Sequence, residues 1–222
     1  MTFLELCKRL RQETGYQGTG PVTVVGQQGD LKRIVEWVNQ AYLDIQNKWQ
    51  DWRWLWTEGQ QATTADVADY APPADLAVYS EDTLRIGDES LCYVTFQHYR
   101  RDRERYDEMT PGRPWSFTIL PNRSLRLFPT PDAAYTVDYE YFRAPVPLVE
   151  NADEPLMPAR YHEVIIHRAR VYWAAFENAP SELQVADALF SEAMTRLEAS
   201  ELISQEMPHG RTTGIDIVVR PV

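Results

Sequence analysis

The sequence predicts an α+β protein: a four-helix core, an inserted antiparallel β-rich lobe and an extended C-terminal tail. Three observations lead there. Residues 113–176 change their hydrophobic period midway, from strand alternation to helical spacing. Apolar helical faces lie at both ends of the chain and need each other to be buried. Past Ser204 the pattern stops, so residues 207–222 have no core of their own and must dock on something or stay mobile. The division that follows assigns residues 1–57 and 155–206 to a helical body, 58–154 to the lobe and 207–222 to an arm.

The first helix spans residues 3–13, with Thr2 as N-cap, Glu5 three residues on, and Phe3, Leu6, Cys7 and Leu10 on one face. Gly15 ends it, and a loop rich in Gly, Thr and Val follows. Residues 30–49 carry the clearest helical pattern. Leu31, Ile34, Val35, Val38, Tyr42, Ile45 and Trp49 all lie within about 50° of a common line. Trp37 falls about 110° off that stripe. It is capped by another part of the chain or it is a subunit contact. Trp49-Gln-Asp-Trp52-Arg-Trp54-Leu-Trp56 then alternates, so the chain passes from helix to strand. Its aromatic density suits base stacking or core and interface packing, and the acidic surroundings favour packing.

Residues 58–82 are weakly patterned and unassigned. Thr83-Leu-Arg-Ile86 and Leu91-Cys-Tyr-Val-Thr-Phe96 read as strands joined by a turn at Gly87-Asp-Glu-Ser90. Residues 97–106 read as a short helix. A strand ladder follows: Trp115-Ser-Phe-Thr-Ile-Leu120, Ser124-Leu-Arg-Leu-Phe128 and Tyr135-Thr-Val-Asp-Tyr-Glu-Tyr-Phe142. In the last strand Tyr135, Val137, Tyr139 and Tyr141 share a packed face, opposite Thr136, Asp138 and Glu140. The prolines from Pro145 to Pro158 bar both helix and central strand. That crossing is the expected boundary between lobe and body. Residues 159–176 form a helix burying Tyr161, Val164, Ile165, Ala169, Tyr172 and Phe176. A second helix, carrying Leu183 to Leu197, folds back on it after Asn178-Ala-Pro-Ser181.

Composition narrows the function. The formal net charge of −11 over 222 residues opposes wrapping of nucleic acid. The one basic cluster, Tyr99-Arg-Arg-Asp-Arg-Glu-Arg105, is interleaved with acids and reads as a solvated helix face rather than a phosphate site. No apolar run approaches a membrane span, and the N-terminus reads as a helix start, not a signal peptide. Cys7 and Cys92 are far apart and are expected to be buried, reduced thiols. His162 and His167 are five residues apart, which rotates them by about 140° on a helix and excludes a shared zinc. The glycines at 15, 18 and 20 lack the strand and the Lys-Ser/Thr of a phosphate loop. No catalytic signature and no cofactor motif is present, so no catalytic, cofactor or metal residue is assigned.

Several stretches taken together carry a resemblance. They are Val24-Val-Gly-Gln-Gln-Gly-Asp30, Ile34-Val-Glu-Trp-Val-Asn-Gln-Ala-Tyr-Leu-Asp-Ile-Gln46, Asp51-Trp52, Leu127-Phe-Pro-Thr-Pro131, Tyr139-Glu-Tyr141 and Leu156-Met-Pro-Ala-Arg-Tyr-His162, with the N-terminal helix. The chain resembles the adaptor, or head-to-tail connector, proteins of tailed bacteriophages, especially short-tailed ones. That likeness implies a structural virion protein of the neck region, made in the host cytoplasm. It implies a homo-oligomeric ring, commonly of twelve copies, under the portal protein. Such a ring extends the DNA channel, meets DNA only by non-specific passage, and offers a platform for tail or nozzle proteins. It implies a portal-docking arm at residues 207–222, with Ile215, Ile217 and Val219 as apolar anchors beside Arg220, and it suits Trp37 as a subunit contact. The competing readings are a monomeric tail-completion or host-interaction module, and a phage-encoded hydrolase whose site carries no recognised motif.

Overall fold

The computed structural model describes residues 1–18 and 20–202. Ile215, Ile217, Val219 and Arg220 lie outside the described residues, as does the whole segment assigned to the arm. The fold is α+β, as the change of period requires.

Helix α1 (Phe3–Glu13) starts on a complete capping box, in which Thr2 Oγ1 accepts from the Glu5 amide and Glu5 accepts from the Thr2 amide. Helix α2 (Gly29–Lys48) buries Ile34, Val38, Tyr42 and Ile45 of the predicted stripe, together with Ala41 and Gln46; Leu31 and Val35 are half-buried and Trp49, just past the helix end, is exposed. Far along the chain come α5 (His162–Phe176) and α6 (Pro180–Glu201). Pro180 sits at the start of α6, where a missing amide hydrogen costs nothing. Phe3, Leu6 and Leu10 of α1, the α2 stripe, Val164, Ile165 and Ala169 of α5, and Met194 and Leu197 of α6 form one apolar cluster. Removing a fully buried leucine or isoleucine from such a cluster costs about 2–5 kcal/mol.

A single turn of 3₁₀ helix, Arg53–Leu55, separates α2 from the first strand. Trp52 is fully buried, donates from Nε1 to the Ile45 carbonyl at 2.9 Å, and stacks on Trp54 with ring centroids 4.3 Å apart. Trp52 and Trp54 thus form a packed joint, while Trp49 and Trp56 at the ends of the run are exposed, and Trp56 opens β1 (Trp56–Ala62).

The lobe has two sheets. In the first, β9 (Thr136–Arg143) pairs antiparallel with β1 on one side, and with β3 (Leu76–Tyr79) and β4 (Arg85–Ile86) on the other; β5 (Glu89–Ser90) extends it. In the second the order is β2 (Asp69–Tyr70), β8 (Leu125–Phe128), β7 (Ser116–Ile119), β6 (Cys92–Tyr93). The packed face of β9 meets the inner face of the second sheet, with Val137, Tyr139 and Tyr141 against Phe117, Leu125 and Leu127. Gly59 lies opposite Tyr139 in the β1–β9 register, and a Cβ there would stand 2.4 Å from the tyrosine ring. The glycine is what lets the ring lie across its neighbour strand.

Three local expectations need correcting. The hairpin after Ile86 is tighter than predicted, because Gly87 takes φ 62° and lets Asp88 close the turn onto Glu89–Ser90. The chain then leaves that sheet, and Cys92–Tyr93 pairs with β7 in parallel, so the lobe is not antiparallel throughout. The predicted helix at 97–106 is two short ones, α3 (Phe96–Arg101) and α4 (Arg103–Asp107), broken at Asp102. They cover the outer face of the second sheet through Tyr99 and Tyr106 against Phe128.

The proline-rich crossing, residues 144–158, has no regular structure, yet its backbone is held by side chains of α2. Gln46 donates to the Val146 carbonyl and accepts from the Val146 amide, both at 3.2 Å. Asn39 does the same for Leu148, at 3.1 and 3.0 Å. Tyr42, between them, accepts from the Leu156 amide at 2.9 Å. Gln46 is only 1% exposed, so its loss would leave a buried peptide unit unsatisfied. Gln46→Leu is therefore expected to cost about 2–3 kcal/mol of unfolding free energy. The readout is a lower urea midpoint at unchanged slope, and a loss below about 0.5 kcal/mol would show the crossing to be held otherwise.

Candidate assembly interface

Trp37 is half-buried at the flank of α2. Its ring packs against Phe176, the last residue of α5, with centroids 5.6 Å apart. Arg33 lies one turn before it, with its guanidinium 4.4 Å above the Phe176 ring. Of the two explanations open for an off-face tryptophan, the chain itself supplies the cap in part. Phe176 remains 51% exposed, so the aromatic pair reaches the surface.

A second apolar surface lies where the loop before α2 meets the proline crossing. Asn151 accepts from the Val24 amide at 2.7 Å and from Thr23 Oγ1 at 3.1 Å, which locks the two loops together. Val22 (84% exposed), Val25 and Val149 (60% exposed) project from them.

The chemistry-bearing residues of the sequence have structural partners. His162 Nδ1 faces the N-terminal ammonium at 2.8 Å, and its Nε2 faces the Met157 carbonyl at 3.1 Å. His167 is half-buried on another side of α5. Among the described residues no group of three or more His, Cys, Asp or Glu is arranged to hold a metal ion. In the glycine loop, Arg11 donates to the Gly18 carbonyl, so this loop closes onto its own helix. Cys7 is buried, which pushes its thiol up to about 12. Cys92 is exposed on the edge strand β6, contrary to the expectation of two buried thiols. Alternate side chains of an edge strand face outward, and Cys92 is one of them.

Helices α2, α5 and α6 are tied by one charged knot. Arg168 of α5 forms a two-pronged pair with Asp44 of α2, at 3.0 and 2.8 Å. Tyr172 donates to the same carboxylate, and the Arg168 guanidinium also lies 5.5 Å from the Phe190 ring of α6. Burial alone would raise the Asp44 pKa, but bonds from Tyr172, Gln40 and Arg168 outweigh it and hold the carboxyl below its usual range.

Exposed apolar loops and an aromatic pair reach the surface. The sequence matches the family model described as SU10 adaptor protein over residues 1–212. The chain belongs to that family and is a phage head-to-tail adaptor of the short-tailed type, a structural component of the virion neck. The family implies association with portal and tail proteins. A search of curated proteins gave no match. No helix among the described residues is long and apolar enough to cross a membrane.

Polar contacts that the sequence pattern missed, those of Asn39, Gln46 and Asn151, hold the loops of this surface. For the two on α2, the signal in the sequence is a polar amide recurring seven residues apart, at Asn39 and Gln46.

Burial lowers the pKa of both His162 and His167 below the ordinary 6.5. The unfolded chain therefore binds protons that the folded one refuses, and stability falls as pH drops from 6.5 toward the depressed folded values. Asp44 adds a second loss only as pH falls below about 3.8, where its depressed pKa takes over. Urea unfolding between about pH 7.5 and 5 should show that first decline, and His162→Gln with His167→Gln should flatten it. An unchanged slope in the double variant would assign the decline to other groups.

Proposed function

We propose that this adaptor forms a ring, commonly of twelve copies, beneath the portal, and that the ring extends the DNA channel and seats tail or nozzle proteins. In this reading the helical body, residues 1–57 and 155–206, builds the ring, and the lobe at 58–154 faces the tail. The proline crossing is the boundary between them. Residues 207–222 are the portal-docking arm, with Ile215, Ile217 and Val219 as anchors on alternate positions and Arg220 beside them. Trp37 contributes to the contact between neighbouring copies.

The observation that carries this reading is the family match over residues 1–212. Physical features support it. A net charge of −11 suits a channel through which DNA must slide, because bound phosphates would stall passage. The exposed valines at the loop-to-crossing surface, and the Trp37–Phe176 pair, suit a subunit completed by its neighbours.

Mass in solution, measured with and without the portal protein, tests the reading. A portal-bound ring is expected, and a strict monomer that never associates with the portal would overturn it. In the same assay, deletion of residues 207–222 should weaken portal binding with the melting temperature unchanged; a large fall in melting temperature would assign that segment to the fold.

Trp37→Ala should reduce assembly more than stability. It removes one side of a half-exposed aromatic pair, worth about 1 kcal/mol within the chain, whereas a tryptophan at an interface centre is worth about 2–4 kcal/mol. Equal losses in both measurements would return Trp37 to the subunit core.

A further inference from the structure

The two outer faces of the lobe carry opposite charge. On the second sheet, α3 and α4 present Arg100, Arg101, Arg103 and Arg105, together with Asp102, around a recess of about 630 Å³. All four arginines are exposed. The helices are fixed to the sheet beneath them: Arg126 of β8 pairs with Asp69 at 2.5 and 2.6 Å and reaches the Tyr99 hydroxyl, which itself donates to Asp107 at 3.0 Å. The basic face is therefore on a supported platform rather than on a loose loop.

On the opposite side of the sandwich, the outer face of the first sheet forms a groove of about 550 Å³. Glu58, Asp138 and Glu140 line it against the single guanidinium of Arg85. Glu58 and Glu140 are directly paired across β1 and β9, and like charges so placed repel. Trp56, 40% exposed at the end of the same face, donates from Nε1 to Glu140 at 2.9 Å. With its N–H engaged, it offers its ring beside carboxylates, a combination that takes up a guanidinium by cation–π contact and ion pairing.

A closed ring of identical subunits is built from heterologous contacts, in which one face of each copy meets a different face of the next. We infer that the lobes are joined around the ring by this pair of faces, the arginines of α3 and α4 in one copy entering the Glu58–Asp138–Glu140 groove of its neighbour. The inference rests on the ring reading above and adds its partner surface. It commits to a second copy of this chain because the two faces are complementary in charge and lie on opposite sides of one rigid sandwich. DNA is the weaker occupant: the chain's net charge of −11 opposes a long polyanion, whereas each copy already carries the matching acidic groove.

Charge reversal on the full chain tests it. Arg100→Glu with Arg105→Glu should raise the concentration needed for assembly by about tenfold or more, and Glu58→Arg should do the same. Assembly of the wild type should also weaken with added salt. Mixing the two variants should restore rings, because in an alternating ring each reversed face meets a reversed partner. The variants change exposed side chains, so their thermal unfolding should match the wild type and separates assembly defects from misfolding. Wild type that forms no ring even on the portal would sink the ring reading itself. Wild-type rings with variants that assemble equally well, or with no restoration on mixing, would overturn the lobe contact alone. Binding of a linear DNA duplex that the arginine variant loses while assembling normally would overturn it in favour of nucleic acid.

Discussion

The structure depends on how a proline-rich crossing is kept in place. Pro145, Pro147, Pro155 and Pro158 deny residues 144–158 a helix or a ladder, so their peptide groups need partners from elsewhere. Helix α2 provides them from one flank. Asn39 and Gln46 each present an amide that gives and receives a hydrogen bond, as a neighbouring strand would. Because the two are seven residues apart on α2, they return to nearly the same side of the helix. Leu148 and Met157, both in this segment, can then be buried in the helical cluster without stranding polar backbone. The same crossing receives α1, whose first amides donate to the carbonyls of Asp153 and Asn151 at 2.7 and 3.3 Å.

That arrangement explains why the lobe does not hang from the body by a flexible tether. Phe142, near the end of the central strand β9, is buried in the helical cluster, and Val78 and Trp54 pack against it. Arg143, the next residue, donates to the Trp54 carbonyl at 3.1 Å. One strand thus serves both cores: Val137, Tyr139 and Tyr141 on the sandwich side, Phe142 on the helical side. A one-residue slip of β9 would exchange these sets, so the β1–β9 register is fixed from both ends.

Much of this was legible because burial imposes periodicity. The centre of the α2 stripe, the capping box at Thr2 and Glu5, and the alternation of β9 are local patterns that a single sequence carries. The hairpin at Gly87 was legible in existence but not in register, since its choice of partner depends on whether Leu91 continues that sheet or leaves it. Residues 58–82 were opaque for a physical reason. In β1 the glycine at 59 and glutamines at 60 and 61 give no apolar alternation, because the strand is held by its long pairing with β9 and by the Tyr139 ring lying across Gly59. The amides of Asn39 and Gln46 were opaque for another. A buried glutamine looks like a surface residue until its partner, 100 residues away, is known.

The charged faces proposed for assembly were the least legible, because a contact between copies would leave no periodicity in the chain. The acids at Asp138 and Glu140 read from sequence as a wet face, and the arginines at 100–105 as a solvated helix; each reading is correct for an isolated subunit. Only the sandwich relates them, by putting the first set on one outer side and the second on the other. On the ring reading, such a contact has a physical advantage over an apolar one. Desolvating a large hydrophobic face would drive free subunits to associate without a template, whereas exposed charge pairs are individually weak, worth about 0–1 kcal/mol each. Closure changes that balance, because the last subunit joins two neighbours at once and its second contact forms at high effective concentration. On that reading, weak complementary faces would leave free subunits apart and would hold the ring once a partner had gathered the copies.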